Sequence, residues 1–168
     1  RSARFTVRGV YACYIRDDFV ENDAALGGEI RDSLVDGTHV FISARPGRGY
    51  KGDDFPPATI TVRDTLVRLD CKPDERRDGE DTPAPAGFAG GACGVGRSLG
   101  MPFKWSGAAR NLRLDVADTI IRIDAAGRNG ARSMNFPDGD YRNVTLVWLG
   151  PGRYPGALPP SGVTVTDD

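Results

Sequence analysis

Short runs of alternating apolar and polar residues, each broken by an aspartate followed by a small hydroxyl residue, recur along this chain. The clearest pair is ITVRDTLVRLD, from Ile60 to Asp70, and LDVADTIIRID, from Leu114 to Asp124. At an offset of 54, Asp64 meets Asp118, Thr65 meets Thr119, and Leu66, Val67 and Leu69 meet Ile120, Ile121 and Ile123. Apolar meets apolar at each of these core candidates. A third copy, EIRDSLVDG, lies 32 residues upstream, with Ile30, Asp32, Ser33 and Leu34 on Val62, Asp64, Thr65 and Leu66. Two weaker copies complete the set. One, 20 residues further upstream, lays Val10, Cys13, Tyr14 and Ile15 on Ile30, Ser33, Leu34 and Val35. The other, RNVTLVWLG, follows at an offset of 26 and lays Thr145, Leu146, Val147 and Leu149 on Thr119, Ile120, Ile121 and Ile123.

Repeats of this kind predict stacked strands. Alternation over four to eight residues is the strand period. Asp with Ser or Thr favours a bend because the short side chain bonds nearby backbone. One unit cannot bury its apolar face alone, whereas stacking equivalent positions about 4.8 Å apart pairs every backbone with the next turn. The matched bends count against an antiparallel sandwich, which has no reason to repeat them. The pattern over residues 5–149 resembles the right-handed parallel β-helix of the pectin lyase-like superfamily. The resemblance implies an all-β, single-stranded solenoid of about five turns. Further strands are expected at Phe19-Val20, Val40–Ile42, Phe103–Trp105, Met134–Phe136 and Val163–Thr166, with one helical turn at Asp23–Leu26.

The expected domain spans 1–168, and its Pro/Gly-rich stretch from 150 to 168 closes the end of the stack. Because the sequence starts at Arg1 rather than Met, an N-terminal segment or a partner chain is expected to cover the first turn. Insertions at Ala44–Ala58, Cys71–Met101 and Ala125–Arg132 fall near one point of each turn, so long loops are expected to gather on one side and build a binding surface. Cys71 and Cys93 bracket most of the longest insertion, which carries almost no apolar residue. A disulfide there would hold it with about 3 kcal/mol and imply an extracellular or periplasmic setting. Cys13, in the position of Ser33 and Thr65, is expected to be a small buried residue.

Composition narrows the function classes. The chain has 168 residues and a net charge of -1, which leaves no bulk basic field for nucleic acid. Hydrophobic residues make 39%, enough for a core, yet no apolar run reaches the roughly 18 residues of a membrane helix. No P-loop, dinucleotide-binding glycine pattern or Gly-x-Ser-x-Gly is present.

The chemistry-bearing candidates cluster early. RDDFVEND places Asp17, Asp18, Glu21 and Asp23 within seven residues, a set able to supply an acid/base pair or hard oxygen ligands for Ca²⁺. His39 is the only histidine and follows Asp18 by 21 residues, close to one repeat; a frame slip of one would bring the two within about 5–7 Å. Asp17-Asp18 followed one turn later by Gly37, His39 and Ser43 is similar to polygalacturonase-like glycoside hydrolases, although Gly37-Thr38-His39-Val40 stands where that family has Gly-His-Gly. The resemblance implies Asp17 and Asp18 as acid and water-activating carboxylate, with His39 orienting them. Polysaccharide lyases of the same fold use an Arg or Lys base, a role open here to Arg45, with Lys104 and Arg132 as further basic candidates for substrate contact, and Ca²⁺ on carboxylates such as Glu21 and Asp23. Tyr50 and Trp105 could stack on sugar rings. Two function classes therefore stay open: an enzyme cleaving acidic polysaccharide by hydrolysis or β-elimination, and a non-catalytic carbohydrate-binding or structural solenoid. They differ in whether the acidic run, His39 and a basic residue meet on one open face.

Overall fold

The computed structural model describes residues 4–47, 49, 51, 54–69, 72–73, 97–98, 101–123, 136–150, 153–154 and 156–166, with Arg16, Lys72, Pro73, Arg97 and Ser98 described by their backbone alone. The strands are β1 (Arg4–Arg8), β2 (Tyr11–Glu21), β3 (Gly27–Ala44), β4 (Ala58–Leu69), β5 (Lys72–Pro73), β6 (Arg97–Ser98), β7 (Met101–Trp105), β8 (Leu112–Ile123), β9 (Gly139–Trp148) and β10 (Val163–Thr166). Eight of them form one parallel sheet in the order β1-β3-β4-β8-β9-β10, with β2 and β7 also paired to β3; β5 and β6 form a separate antiparallel pair. Parallel pairing of β3 with β4 removes the antiparallel sandwich. The sheet runs between two end strands and does not close on itself.

The long strands are not straight, and the reason is a column of left-handed residues. The register aligns Arg8, Arg31, Arg63, Ala117 and Arg142. The next residue in each chain segment has positive φ: Gly9 (63°), Asp32 (50°), Asp64 (48°), Asp118 (49°) and Asn143 (50°). Gly162 (87°) continues the column, since it precedes Val163, which pairs with Val144. Gly carries no Cβ penalty in this conformation, and Asp and Asn tolerate it because their side chains bond locally. Thus each strand turns a corner without leaving its ladder. Immediately after the bend, Ser33, Thr65 and Thr119 are buried, and each hydroxyl donates to the carbonyl two residues back, at 2.7, 2.7 and 2.8 Å. That bond satisfies a hydroxyl that would otherwise be costly inside. A second bend aligns Tyr14 (φ 54°) with Gly37 (φ 90°), one step past the Cys13–Asp36 pair.

Alternation on either side of the bend builds the core. Val7, Ile30, Val62, Val116 and Tyr141 stack before it. Val35, Val67, Ile121 and Leu146 stack after it, followed by Leu69, Ile123 and Trp148. Phe19, Phe41, Phe103, Phe136 and Tyr141 add a run of aromatic contacts with centroids 5.4–6.3 Å apart. Outside, ion pairs cross from strand to strand: Arg8 to Asp32, Arg68 to Asp36, and both Arg63 and Arg142 to Asp115.

The offset of 54 holds from Ala58 to Leu69, and that of 32 from Ile60 to Arg68. The two outer copies need correction. Val7, not Val10, lies on Ile30, so the upstream offset is 23. Cys13 then meets Asp36 rather than Ser33, and it is exposed, not buried. Val144 meets Thr119, an offset of 25, and the one-residue slip exchanges faces. Trp148 enters the core and Leu149 stays outside. Leu34, Leu66 and Ile120 are also exposed, although their spacing read as core. The bend resets the alternation, so Thr65 points in and Leu66 out. The expected helical turn at Asp23–Leu26 is a hydrogen-bonded turn built on Asn22, whose side-chain amide accepts from the Leu26 N–H and donates to the Leu26 carbonyl, both at 2.9 Å. Insertions also leave from two corners: the one after Ala44 follows the β3 end that pairs with β7, whereas those after Leu69 and Ile123 follow the preceding ladder. Cys71 and Cys93 lie outside the described residues. Val163–Thr166 is the last strand, as expected.

Two measurements check this frame. Tyr14 is 83% exposed, so Tyr14→Gly gives up little packing and relieves left-handed strain; the urea midpoint should rise, by about 1 kcal/mol in stability. Gly162→Ala should lower it by more than 1 kcal/mol, because a Cβ there overlaps the Tyr141 carbonyl. Burial also raises the phenol pKa values of Tyr141 and Tyr154 well above the usual range. The folded chain thus favours the neutral phenols, and the stability they lend is complete below about pH 10 and drains away above it. Stability measured from pH 8 to 11.5 should fall on the alkaline side, less steeply in Tyr141→Phe.

Candidate functional site

The acidic run sits where β2 is irregular. Ile15 pairs with Thr38, but Asp18 pairs with Val40, so β2 carries one extra residue there. Such a bulge re-aims side chains. Thr38 anchors it: its hydroxyl lies 3.1 Å from the Asp17 carbonyl and 2.9 Å from the Val40 carbonyl. Asp18 therefore stands opposite Val40, while Arg16 and Asp17 share the stretch opposite His39. The one-residue slip foreseen from the Asp18–His39 spacing is overshot.

Asp18 has a different partner. Lys104 reaches it from β7, two strands away across β3, and its ammonium donates to both carboxylate oxygens at 3.3 and 3.0 Å. The Asp18 side chain is 3% exposed and that of Lys104 23%. Lys104 stands in register with Ser43 and, beyond it, Glu21. Its ammonium nonetheless goes to the buried carboxylate, where burial leaves Asp18 no water to replace it. A buried charge with a charge-assisted partner is tolerated; the same charge alone is not.

The other candidates divide by exposure. His39 is buried at 8%, while Asp17, Glu21, Asp23 and Arg45 are exposed. Glu21 ends β2 and Asp23 lies in the following turn. Among the described residues no group of three or more His, Cys, Asp and Glu side chains is placed to hold a metal ion. Trp105 is half-buried against the core. Tyr50 and Arg132 lie outside the described residues. The fold thus joins Asp18 and Lys104, two candidates to which the sequence gives separate roles. The 86-residue separation of the two and the bulge in β2 hide the pairing.

A second polar and apolar surface was not singled out from the sequence. Asp32, Asp64 and Asp118 stack at the bend, beside the exposed side chains Leu34, Leu66 and Ile120, and together they line an open groove of about 360 Å³. The repeat offsets held the signal, because they align all six residues.

Comparison with models of protein families, with curated proteins and with solved structures finds no match for this chain.

If the Asp18–Lys104 pair is structural, removing its cation should cost more than removing its anion. Lys104→Met strands a carboxylate that is 3% exposed and should cost about 3 kcal/mol, whereas Asp18→Asn leaves a partly exposed ammonium that can turn to water and should cost less. Denaturant unfolding of both variants and of the double variant gives the order; the double variant should recover part of the Lys104→Met loss.

Proposed function

We propose that this chain is a right-handed parallel β-helix solenoid of about five turns that serves as a non-catalytic binding or structural domain. The in-register bends from Gly9 to Gly162, with parallel ladders on either side, support the solenoid. Handedness follows from the general preference of parallel crossovers. An extracellular or periplasmic setting belongs to the same proposal and rests on the expected Cys71–Cys93 bridge.

The observation that carries the non-catalytic reading is the state of Asp18. Its carboxylate is closed to solvent and accepts both of its described bonds from the Lys104 ammonium. An acid/base pair for glycoside hydrolysis needs two carboxylates about 6.5–9.5 Å apart across a groove that admits sugar and water, or about 5–5.5 Å apart with one as nucleophile. Asp18 in this arrangement is withdrawn from solvent and held by a cation, so it offers a substrate no access. His39 is buried, and the carboxylates that remain exposed, Asp17, Glu21 and Asp23, lie along the β2 edge and its turn. The ligand could still be a polysaccharide, bound without cleavage.

The test is product release. Incubated with polygalacturonate, other acidic polysaccharides and neutral glycans, with and without Ca²⁺, the protein should release neither reducing ends nor ultraviolet-absorbing unsaturated products. Turnover that falls about 10²-fold or more in Asp17→Asn or Asp18→Asn, with folding retained, would replace this reading by the enzyme.

A further inference from the structure

We propose that the groove at the bend docks a short segment of a partner protein that carries alternating apolar and basic side chains. Outward positions of a sheet facing water are normally polar. Here the register aligns Tyr11, Leu34, Leu66 and Ile120 as one row, and all four are exposed, at 66%, 39%, 43% and 43%. A single exposed leucine needs no explanation, but a contiguous row over four successive turns does.

Charge selects the occupant. Asp32, Asp64 and Asp118 edge the row, and no basic side chain lines the groove with them. Two neighbouring arginines are engaged elsewhere, Arg63 with Asp115 and Arg68 with Asp36, and Arg31 is shared between Glu29 and Asp32. Asp32 has Arg8 and Arg31. Asp118 receives only the neutral Asn143 amide, at 2.7 Å, and Asp64 has no counter-ion among the described residues. Carboxylates stacked on adjacent turns repel one another, and a cation laid between them relieves that repulsion. The same field disfavours an acidic polysaccharide in this groove. An occupant therefore needs apolar groups for the leucine row and Lys or Arg for the aspartate row.

Size argues for a segment rather than a second copy. Four rungs about 4.8 Å apart span roughly 14 Å, the reach of four or five extended residues. A stable dimer takes about 800 Å² from each partner, more than this row offers. The proposal rests on the chain being a binding solenoid, but the two fail separately: polysaccharide cleavage would remove that reading and leave the groove to be tested.

The probe is a synthetic ten-residue peptide of alternating leucine and lysine, titrated into the whole chain by fluorescence anisotropy, with a leucine–glutamate peptide as control. The lysine peptide should bind at least 10-fold more tightly than the control. Its affinity should fall about 10-fold in Leu66→Lys and several-fold in Asp64→Asn, and methyl chemical shifts should move at Leu34, Leu66 and Ile120. Equal binding of both peptides, shifts confined to other surfaces, or affinity unchanged in both variants would overturn the proposal. So would sedimentation showing self-association that Leu66→Lys abolishes, because the occupant would then be a second copy.

Discussion

Everything in this structure depends on one backbone conformation repeated in register. Gly9, Asp32, Asp64, Asp118, Asn143 and Gly162 all adopt positive φ at the same register position of the parallel sheet. A left-handed residue costs most amino acids roughly 1–2 kcal/mol. The cost is small here because the column uses Gly, Asp and Asn. It is further offset because the corner lets both flanking segments stay paired, with the buried hydroxyls of Ser33, Thr65 and Thr119 bonded to the backbone beside it. Moving any one bend by a residue would exchange inside for outside along that turn.

This constraint explains what the sequence discloses and what it hides. Where two paired strands both use Asp at the bend and Ser or Thr after it, the offsets of 32 and 54 can be read directly and the register follows. Where the bend is Gly9 or Asn143, a search for Asp followed by a small residue settles on the wrong frame. That frame puts Val10 where Val7 belongs, and Leu149 where Trp148 belongs. The physical requirement is a residue that accepts positive φ, and Gly and Asn meet it as well as Asp. Leu66 and Ile120 illustrate a second blind spot: apolar character alone does not say which face a strand presents once a corner has intervened.

The candidate site was legible only as a list of residue types. Asp17, Asp18, His39 and Lys104 are all visible in the sequence, but the Asp18–Lys104 pair comes from chain segments 86 residues apart, placed on either edge of β3 by β2 and β7, with a bulge beside Asp18. No periodicity encodes a bulge. The pair changes the functional reading, because a carboxylate that would have been the first choice for acid/base chemistry is instead the buried half of an ion pair. The functional interest then shifts to the outer surface, where the register lines up aspartates and apolar side chains on neighbouring strands.

The most direct test of the account is the pattern of methyl contacts in solution. In protein with isotope-labelled Ile, Leu and Val methyl groups, nuclear Overhauser effects should run Ile30 to Val62 to Val116 and, separately, Val35 to Val67 to Ile121 to Leu146, following the parallel register. Strong contacts of Ile30 with Val67 and of Val35 with Val62, the order an antiparallel pairing imposes, would contradict it.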